Sequence, residues 1–548
     1  MRIIPKFRIL FLMVLLASCS TSSNKSSGGN NNGNDPEDPD TEAPFVTFVS
    51  SNNANGTYDL LDKLTINVYF SESVVVTGSP TLTLETGTTD YVAQFLSASN
   101  NIVSFSYEVM AGHSSADLSY VSTDSLDLAG GAIKDDAGNS AEINLPAIGS
   151  GTSLSGTKAL VIGRNWNLID GNAATSINKV STNNANAPSL IFYNNVLYAA
   201  WSEGNIDEIK QIRVARYNSV NNTWTFVDGN DANLGINKNT TKNAVTPELR
   251  VLGTNLYCFW SEEGTSASNI RVKRYNGTTW TFVDGNGDDG INYDTTKNAT
   301  NPRSSLMGNN LYVAWSEDDG SVTQIRVARF NVADTNWSFI DGGNAVGLNK
   351  DDEEPATRPF LAAINNILYA TWREVQGGVA QIRVARYNGT NWAFVDGNGA
   401  SGLNMDITKN ANMPNIASLT NELYLTWSEN NGTTEQIRAK KYNGTIWTTI
   451  DDGGSTGLNK NTSHGATEPK VSFLGTRVYI SWVENGQVRV KKYNGTDWAF
   501  VDGDGATGLN KNTAHGAGDV FLRSNGTNLF LTWLEDAPAA LQIHVRSY

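Results

Sequence analysis

Tryptophan recurs along this chain with a spacing that few folds can accommodate. The string Trp-Ser-Glu, or a close variant, appears at Trp201, Trp260, Trp315, Trp372, Trp427, Trp482 and Trp533, at intervals of 59, 55, 57, 55, 55 and 51 residues. A second series, Trp166, Trp224, Trp280, Trp337, Trp392, Trp447 and Trp498, interleaves with the first, and together they account for all 14 tryptophans. Seven similar units therefore follow one another from about residue 164. Each contains four short runs of apolar alternation, as in Pro247 to Val251, Leu256 to Trp260, Ile270 to Tyr275 and Trp280 to Val283.

Four strands in about 55 residues make one propeller blade with an extended loop, since blade periods run from roughly 40 to 50 residues. A solenoid coil is shorter, and separate sandwich domains would need about 100 residues each. The first element of the repeat, Trp166 to Asp170, reads as a fourth strand with no blade before it, and the last unit stops at its third strand, Gln542 to Ser547. The two fragments complete each other, which predicts a ring closed by its N-terminal strand and free of open edges. Residues 165 to 548 resemble the surface-exposed bacterial β-propellers, and the resemblance is one of architecture. The chain is thus expected to be all-β: an Ig-like β-sandwich at 44–163 followed by a seven-bladed β-propeller at 164–548.

Before these regions, basic residues Arg2, Lys6 and Arg8 precede the apolar run Ile9 to Ala17, about half the ~20 residues needed to span a bilayer. The run ends Leu16-Ala17-Ser18-Cys19, which resembles the bacterial lipoprotein signal. That resemblance implies a signal peptide at 1–18, acylation of the Cys19 thiol and a flexible Ser/Asn/Gly/Pro tether at 19–43. Ser20 after the cysteine implies an outer-membrane address. Between 44 and 163, Phe70-Ser71-Glu72-Ser73-Val74, Leu82-Thr83-Leu84 and Asp135-Asp136-Ala137-Gly138-Asn139 resemble a bacterial Ig-like domain, and the resemblance implies a spacer. Cys258 is the one thiol left in the mature chain, and its strand-like neighbours Tyr257, Phe259 and Trp260 mark it as a small buried apolar residue rather than a nucleophile.

Forty Lys plus Arg against 55 Asp plus Glu give a net charge of −15, with no basic block beyond the signal. Nucleic acid is excluded as a partner on that count. The membrane is expected to be met only through the lipid, and the chain to be a monomer.

Comparing the seven copies isolates recurring polar residues. An Asp is followed by an Asn eight residues later at Asp170/Asn178, Asp284/Asn292, Asp341/Asn349, Asp396/Asn404, Asp451/Asn459 and Asp502/Asn510, and nine later at Asp228/Asn237. These read as ordered turns, with a Ca²⁺ loop as the alternative and no cofactor otherwise expected. Glutamates such as Glu203 and Glu262 end each second strand, and Arg213, Arg271, Arg326, Arg383, Arg438 and Arg489 open the third, with His544 in the last unit. They are expected to pair across the hairpin. For Trp224, Trp280, Trp337, Trp392, Trp447 and Trp498 two readings stand open, packing between blades and stacking on sugar rings. Departures from the repeat are the run Asp351, Asp352, Glu353 and Glu354, and the histidines His464 and His515, all on inter-blade loops. These are the candidate ligand-binding residues; no catalytic or metal-ligating set emerges. The leading expectation is non-catalytic binding of a carbohydrate, or of a surface or extracellular protein, by a lipid-anchored envelope module. The alternatives are a glycan-active propeller enzyme and a structural envelope component.

Overall fold

The computed structural model describes residues 40–548 apart from 172–175, 230, 286, 288, 333–335, 344–345, 398, 400 and 452. The signal peptide, Cys19 and nearly all of the tether therefore lie outside the described residues. From 185 onwards the chain is a seven-bladed β-propeller. Blade 1 consists of Ala185–Tyr193, Val196–Gly204, Lys210–Asn218 and Thr223–Phe226, paired antiparallel in chain order. Blades 2 to 6 repeat this arrangement over 244–282, 299–339, 356–394, 411–449 and 466–500. Blade 7 takes Ala517–Ser524, Leu529–Asp536 and Leu541–Ser547 from the end of the chain, and Asn167 and Leu168 pair with Ser547 and Arg546 as its fourth strand. No helix among the described residues is long and apolar enough to cross a membrane.

The apolar cores lie between blades, one at each of the seven junctions. At the first junction Ile212 and Val214 of blade 1 meet Leu256, Cys258 and Trp260 of blade 2. The first tryptophan series fills these cores with no exposed surface. Each indole N–H donates to the glutamate two residues further on, Trp201 to Glu203 through Trp533 to Glu535, at 2.7–3.0 Å. That carboxylate also accepts two successive backbone N–H groups of the preceding inter-blade loop, as Glu317 does from Tyr293 and Asp294. All seven blades repeat the arrangement.

The expected Glu/Arg pairing is corrected by the strand register. In blade 1, Arg213 stands opposite Trp201, and Glu203 stands opposite Gln211. The arginine turns instead to the loop aspartate: Arg271–Asp284 3.0 Å, Arg326–Asp341 3.2 Å, Arg438–Asp451 3.1 Å, with His544–Asp170 at 2.6 Å in blade 7. Arg383 also lies 3.7 Å from Glu374. The loop asparagine completes the corner: Asn292 accepts from the Ile270 N–H and donates to the carbonyls of Ser268 and Lys297. Six of the aspartates are thus matched by an arginine and Asp170 by His544 and Lys511, and each asparagine by backbone.

The second tryptophan series is half-buried and joins neighbouring blades. Trp280 donates its indole N–H to the Val227 carbonyl of blade 1, and Trp166 of blade 7 donates to Val501 of blade 6. Distances across the series are 2.6–3.0 Å. Each ring also packs on a Tyr or Phe of its own blade with centroids 4.8–5.3 Å apart. One face of every indole is therefore already covered by protein.

In the N-terminal region, seven strands between Val46 and Asp127 share one sheet, and two short pairs flank it, Val75–Thr77 with Ala132–Lys134 and Gly56–Tyr58 with Leu160–Ile162. Ile102–Glu108 alternates buried and half-buried residues, and its Val103, Phe105 and Tyr107 enter a core with Ile66, Val68, Leu82 and Leu84. This region is bonded to the ring. Buried Asp59 accepts from the hydroxyls of Tyr479 (3.1 Å) and Tyr548 (2.9 Å) and pairs with Lys492, while Asp62 pairs with Arg477 at 3.0 Å. These partners sit at the ends of the strands that carry the short turns, so the contact leaves the long-loop face uncovered.

Replacing Glu317 by Ala leaves an indole and two backbone N–H groups without an acceptor, and should destabilise the ring by about 3 kcal/mol. Trp280→Phe removes one half-buried hydrogen bond and should cost about 1 kcal/mol. Chemical denaturation of both variants checks the order.

Candidate active site

The innermost strand of every blade contains the same irregularity. In blade 1 the pairing jumps from Asn186↔Ser202 to Ser189↔Ala200, so that one extra residue bulges from the inner strand. The bulge recurs in all seven blades. Its central residue has a left-handed φ of 50–59° and is never glycine: Ala187, Thr246, Asn301, Arg358, Met413, Glu468 and Asp519. Such conformations cost on the order of 1 kcal/mol or more each. The next residue is proline in six blades, which lacks an N–H; the inner edge of a blade has no further strand to receive one.

Blade 7 has Val520 instead, and its N–H donates to the Glu468 carboxylate of blade 6 at 3.3 Å. The Ala187 N–H of blade 1 likewise donates to Asp519 of blade 7 at 2.9 Å. The exception to the proline series thus places two carboxylates from adjacent blades side by side at the ring centre.

Bulge residues and those just beyond the prolines line a channel on the ring axis. A mouth of about 110 Å³ opens among the bulges, at the ends of the strands that leave the long loops. It leads to a chamber of about 420 Å³. Directly after the prolines, or Val520, stand Ser189, Glu248, Arg303, Phe360, Asn415, Lys470 and Phe521. Seven equivalent positions therefore hold six different side-chain types, whereas the tryptophans and glutamates do not vary. The walls hold five basic residues, Arg250, Arg303, Arg358, Lys470 and Arg523, and three acidic ones, Glu248, Glu468 and Asp519.

These groups have different roles. Glu248 is held in place: it accepts from the Ser304 N–H (2.9 Å) and hydroxyl (2.8 Å) of blade 3, and from Arg250 at 2.9 Å. Glu468 holds its proton to higher pH than an ordinary carboxylate. Burial pushes its carboxyl above the usual carboxylate range, Lys470 opposes the shift and Asp519 adds to it. Burial pushes Lys470 down to about 8 against the pull of Glu468, and Arg523 down to about 9, with Arg250 adding to the effect. Both side chains retain some contact with the channel, so their surroundings are wet protein wall and not dry core. Arg303 lies over the Phe360 ring at 5.0 Å and Lys470 at 5.9 Å, and Phe360, Phe473 and Phe521 are the aromatic residues of the chamber wall.

The residues singled out from the sequence stand elsewhere. Asp351 accepts from the Glu353 N–H and from Gln376, and the Asp352 carbonyl accepts from Gln324. Glu353 is exposed, and the Glu354 carbonyl accepts from Asn349. The carbonyls of His464 and His515 accept from Asn459 and Asn510, the same backbone role that Lys297 has in its own loop. This is why the side chain there can vary. All six belong to inter-blade loops on the face of the channel mouth, and none lines its walls. The residues of the channel were missed because copies were compared for what recurs, while the signal is variation beside a recurring proline. Cys258 is fully buried, and burial raises its thiol. On the N-terminal region Asp40, Glu72 and Asp135 gather carboxylate oxygens within 4.8 Å of one another, with Asp135 held by Asn139.

No protein-family model and no curated protein matches the sequence. Among solved structures the chain is similar to the polysaccharide lyase Uly1, with a TM-score of 0.44 and 11% identity over 69% of this chain and 96% of that one. It is also similar to a thermostable family-43 glycoside hydrolase, with a TM-score of 0.33 and 10% identity over 60% and 97%. Trypanosoma rangeli sialidase gives 0.38 and 10% over 55% and 54%, about half of that protein. The expectation of a non-catalytic binding module is corrected here. These three solved structures are carbohydrate-active enzymes, and the ring has an asymmetric, charged channel on its axis. These likenesses are of fold, and the chemistry rests on the channel's own residues.

Unpaired cations in a protein wall oppose folding. Lys470→Met or Arg523→Met should therefore raise stability by about 1 kcal/mol, the direction expected where a site is built against stability. Thermal unfolding of the two variants measures it.

Proposed function

We propose that the protein is a glycan-active enzyme whose active site is the mouth and chamber of the central channel. The observation that carries this reading is the pair Glu468 and Asp519, set side by side from adjacent blades by backbone N–H donors above a chamber with aromatic and charged walls. Cleavage of a glycosidic link needs a proton delivered to the leaving oxygen. Glu468, whose proton is held to higher pH by burial and by the neighbouring carboxylate, is the donor, and Asp519 takes the proton of the water that adds to the anomeric carbon as the leaving oxygen departs. Phe360 and Phe521 offer flat apolar faces to a sugar ring. The loops bearing Asp351 to Glu354, His464 and His515 stand on the same face and guide the chain beyond the cleavage point.

The remaining parts fit an envelope enzyme. The Leu16-Ala17-Ser18-Cys19 boundary supports a lipid anchor at Cys19 on the outer membrane, with 1–18 removed and 19–43 as tether. We read 44–163 as a bacterial Ig-like domain that holds the ring at a fixed angle through Asp59 and Asp62. The strand after Trp166 acts as the clasp of the ring.

Reducing-end release from a panel of plant and animal polysaccharides tests the activity. Glu468→Gln should lower the rate about 100-fold or more with the melting temperature unchanged. Because the donor must hold its proton, the wild-type rate should fall as pH rises through a value above the usual carboxylate range. Alanine at Asp352, His464 or His515 should raise KM and leave kcat in place. No release from any polysaccharide, or full activity in Glu468→Gln, would refute the assignment.

A further inference from the structure

The ring treats its cations in two ways. Arginines that open the third strands are paired with loop aspartates in every blade that has one. In the channel, Arg250 and Arg303 share Glu248. Arg358, Lys470 and Arg523 have no such partner: none makes an ion pair among the described residues, and Lys470 meets the Pro469 carbonyl at 3.5 Å and the Phe360 ring at 5.9 Å. The chain carries 55 acidic residues against 40 basic ones, so carboxylates to neutralise them are abundant elsewhere. Three cations without a carboxylate at ion-pair distance among the described residues stand around one cavity, Lys470 feeling Glu468 and Arg523 feeling Glu248 only at longer range, and an anion from outside would complete their neutralisation. Their placement is also divided. Arg358 stands at the mouth, Arg523 in the chamber, and Lys470 belongs to both.

We propose that the channel takes an acidic glycan, binding a carboxylate or sulfate group on the sugar through Arg358, Lys470 and Arg523. The proposal rests on the glycan reading above and narrows it to one substrate class. Guanidinium groups bind such groups with paired, charge-assisted hydrogen bonds. Phe360, already flanked by Arg303 and Lys470, sets the apolar face of the ring beside the charges that hold its anionic group. Glu468 and Asp519 line the same mouth as Lys470 and act on its charge, so an anion bound by the lysine sits beside the carboxylate pair.

The test is calorimetric titration of the full chain with oligogalacturonate and chondroitin sulfate oligosaccharides, and with neutral arabinan and xyloglucan oligosaccharides. At least one acidic oligosaccharide should bind, more weakly as salt is added, and more weakly above about pH 8 as Lys470 loses its proton. Arg358→Gln and Arg523→Gln should each reduce its affinity about tenfold or more, with melting temperatures no lower than wild type. Acidic binding no tighter than neutral binding, or insensitive to both substitutions, overturns the proposal. The two readings fail separately. Tight acidic binding without reducing-end release refutes the enzyme and keeps the anion site; salt-independent cleavage of a neutral glycan does the reverse.

Discussion

Everything in the ring depends on one buried carboxylate per blade. Glu317 shows what it does: it receives the indole of Trp315, which fills a core at a blade junction, and two backbone N–H groups of the incoming loop. A charge with no access to water is tolerable only when its lone pairs are filled, and here three donors fill them. Core, strand end and loop are thereby tied at one point. Because the loop is fixed from within, its surface residues can change without loosening the ring. The Asp/Arg pair and the bridging Asn repeat this logic one step outward.

The inner edges of the blades pose the opposite problem. Seven strand edges face one another around a channel, each with N–H groups that no further strand can take. The bulge and the proline after it answer this by turning the edge and deleting a donor. Where the proline is missing, the freed N–H of Val520 is used to hold Glu468. A scaffold device and a candidate catalytic group therefore occupy the same position, and the local strain lies where a site would be built.

Much of this was legible in the sequence. The count and order of strands followed from the two tryptophan series, because a residue that fills every junction must recur with the blade. The Glu/Arg expectation failed because strand register is set by the hairpin, and register places Arg271 opposite Trp260 and not opposite Glu262. Spacing along a chain cannot separate two residues whose side chains differ by one step in the pleat. The histidines and the acidic run drew attention as departures from a repeat, yet their loops use mainly backbone carbonyls at those points. Further departures stand on the inner strands, in Arg358, Glu468, Lys470, Asp519 and Arg523. They sit among strand residues whose alternation reads as ordinary packing, and only closure of the ring brings them together.

Repetition and function are thus separated by radius. Residues at the junctions see the same neighbours in every blade, and selection for stability makes them alike. Residues on the axis see all seven blades at once, so each can contribute something different to one shared space, and identical side chains there would place seven like charges or seven like rings against one another. An acidic chain with a surplus of basic groups on its axis has an internal field opposite in sign to its surface. Against that positive field the described inner strands supply only three carboxylates, Glu248, Glu468 and Asp519. All three are held by a backbone donor of the next blade, Glu248 by Ser304, Glu468 by Val520 and Asp519 by Ala187, so the ring fixes its carboxylates from the backbone and leaves Arg358, Lys470 and Arg523 without an ion pair.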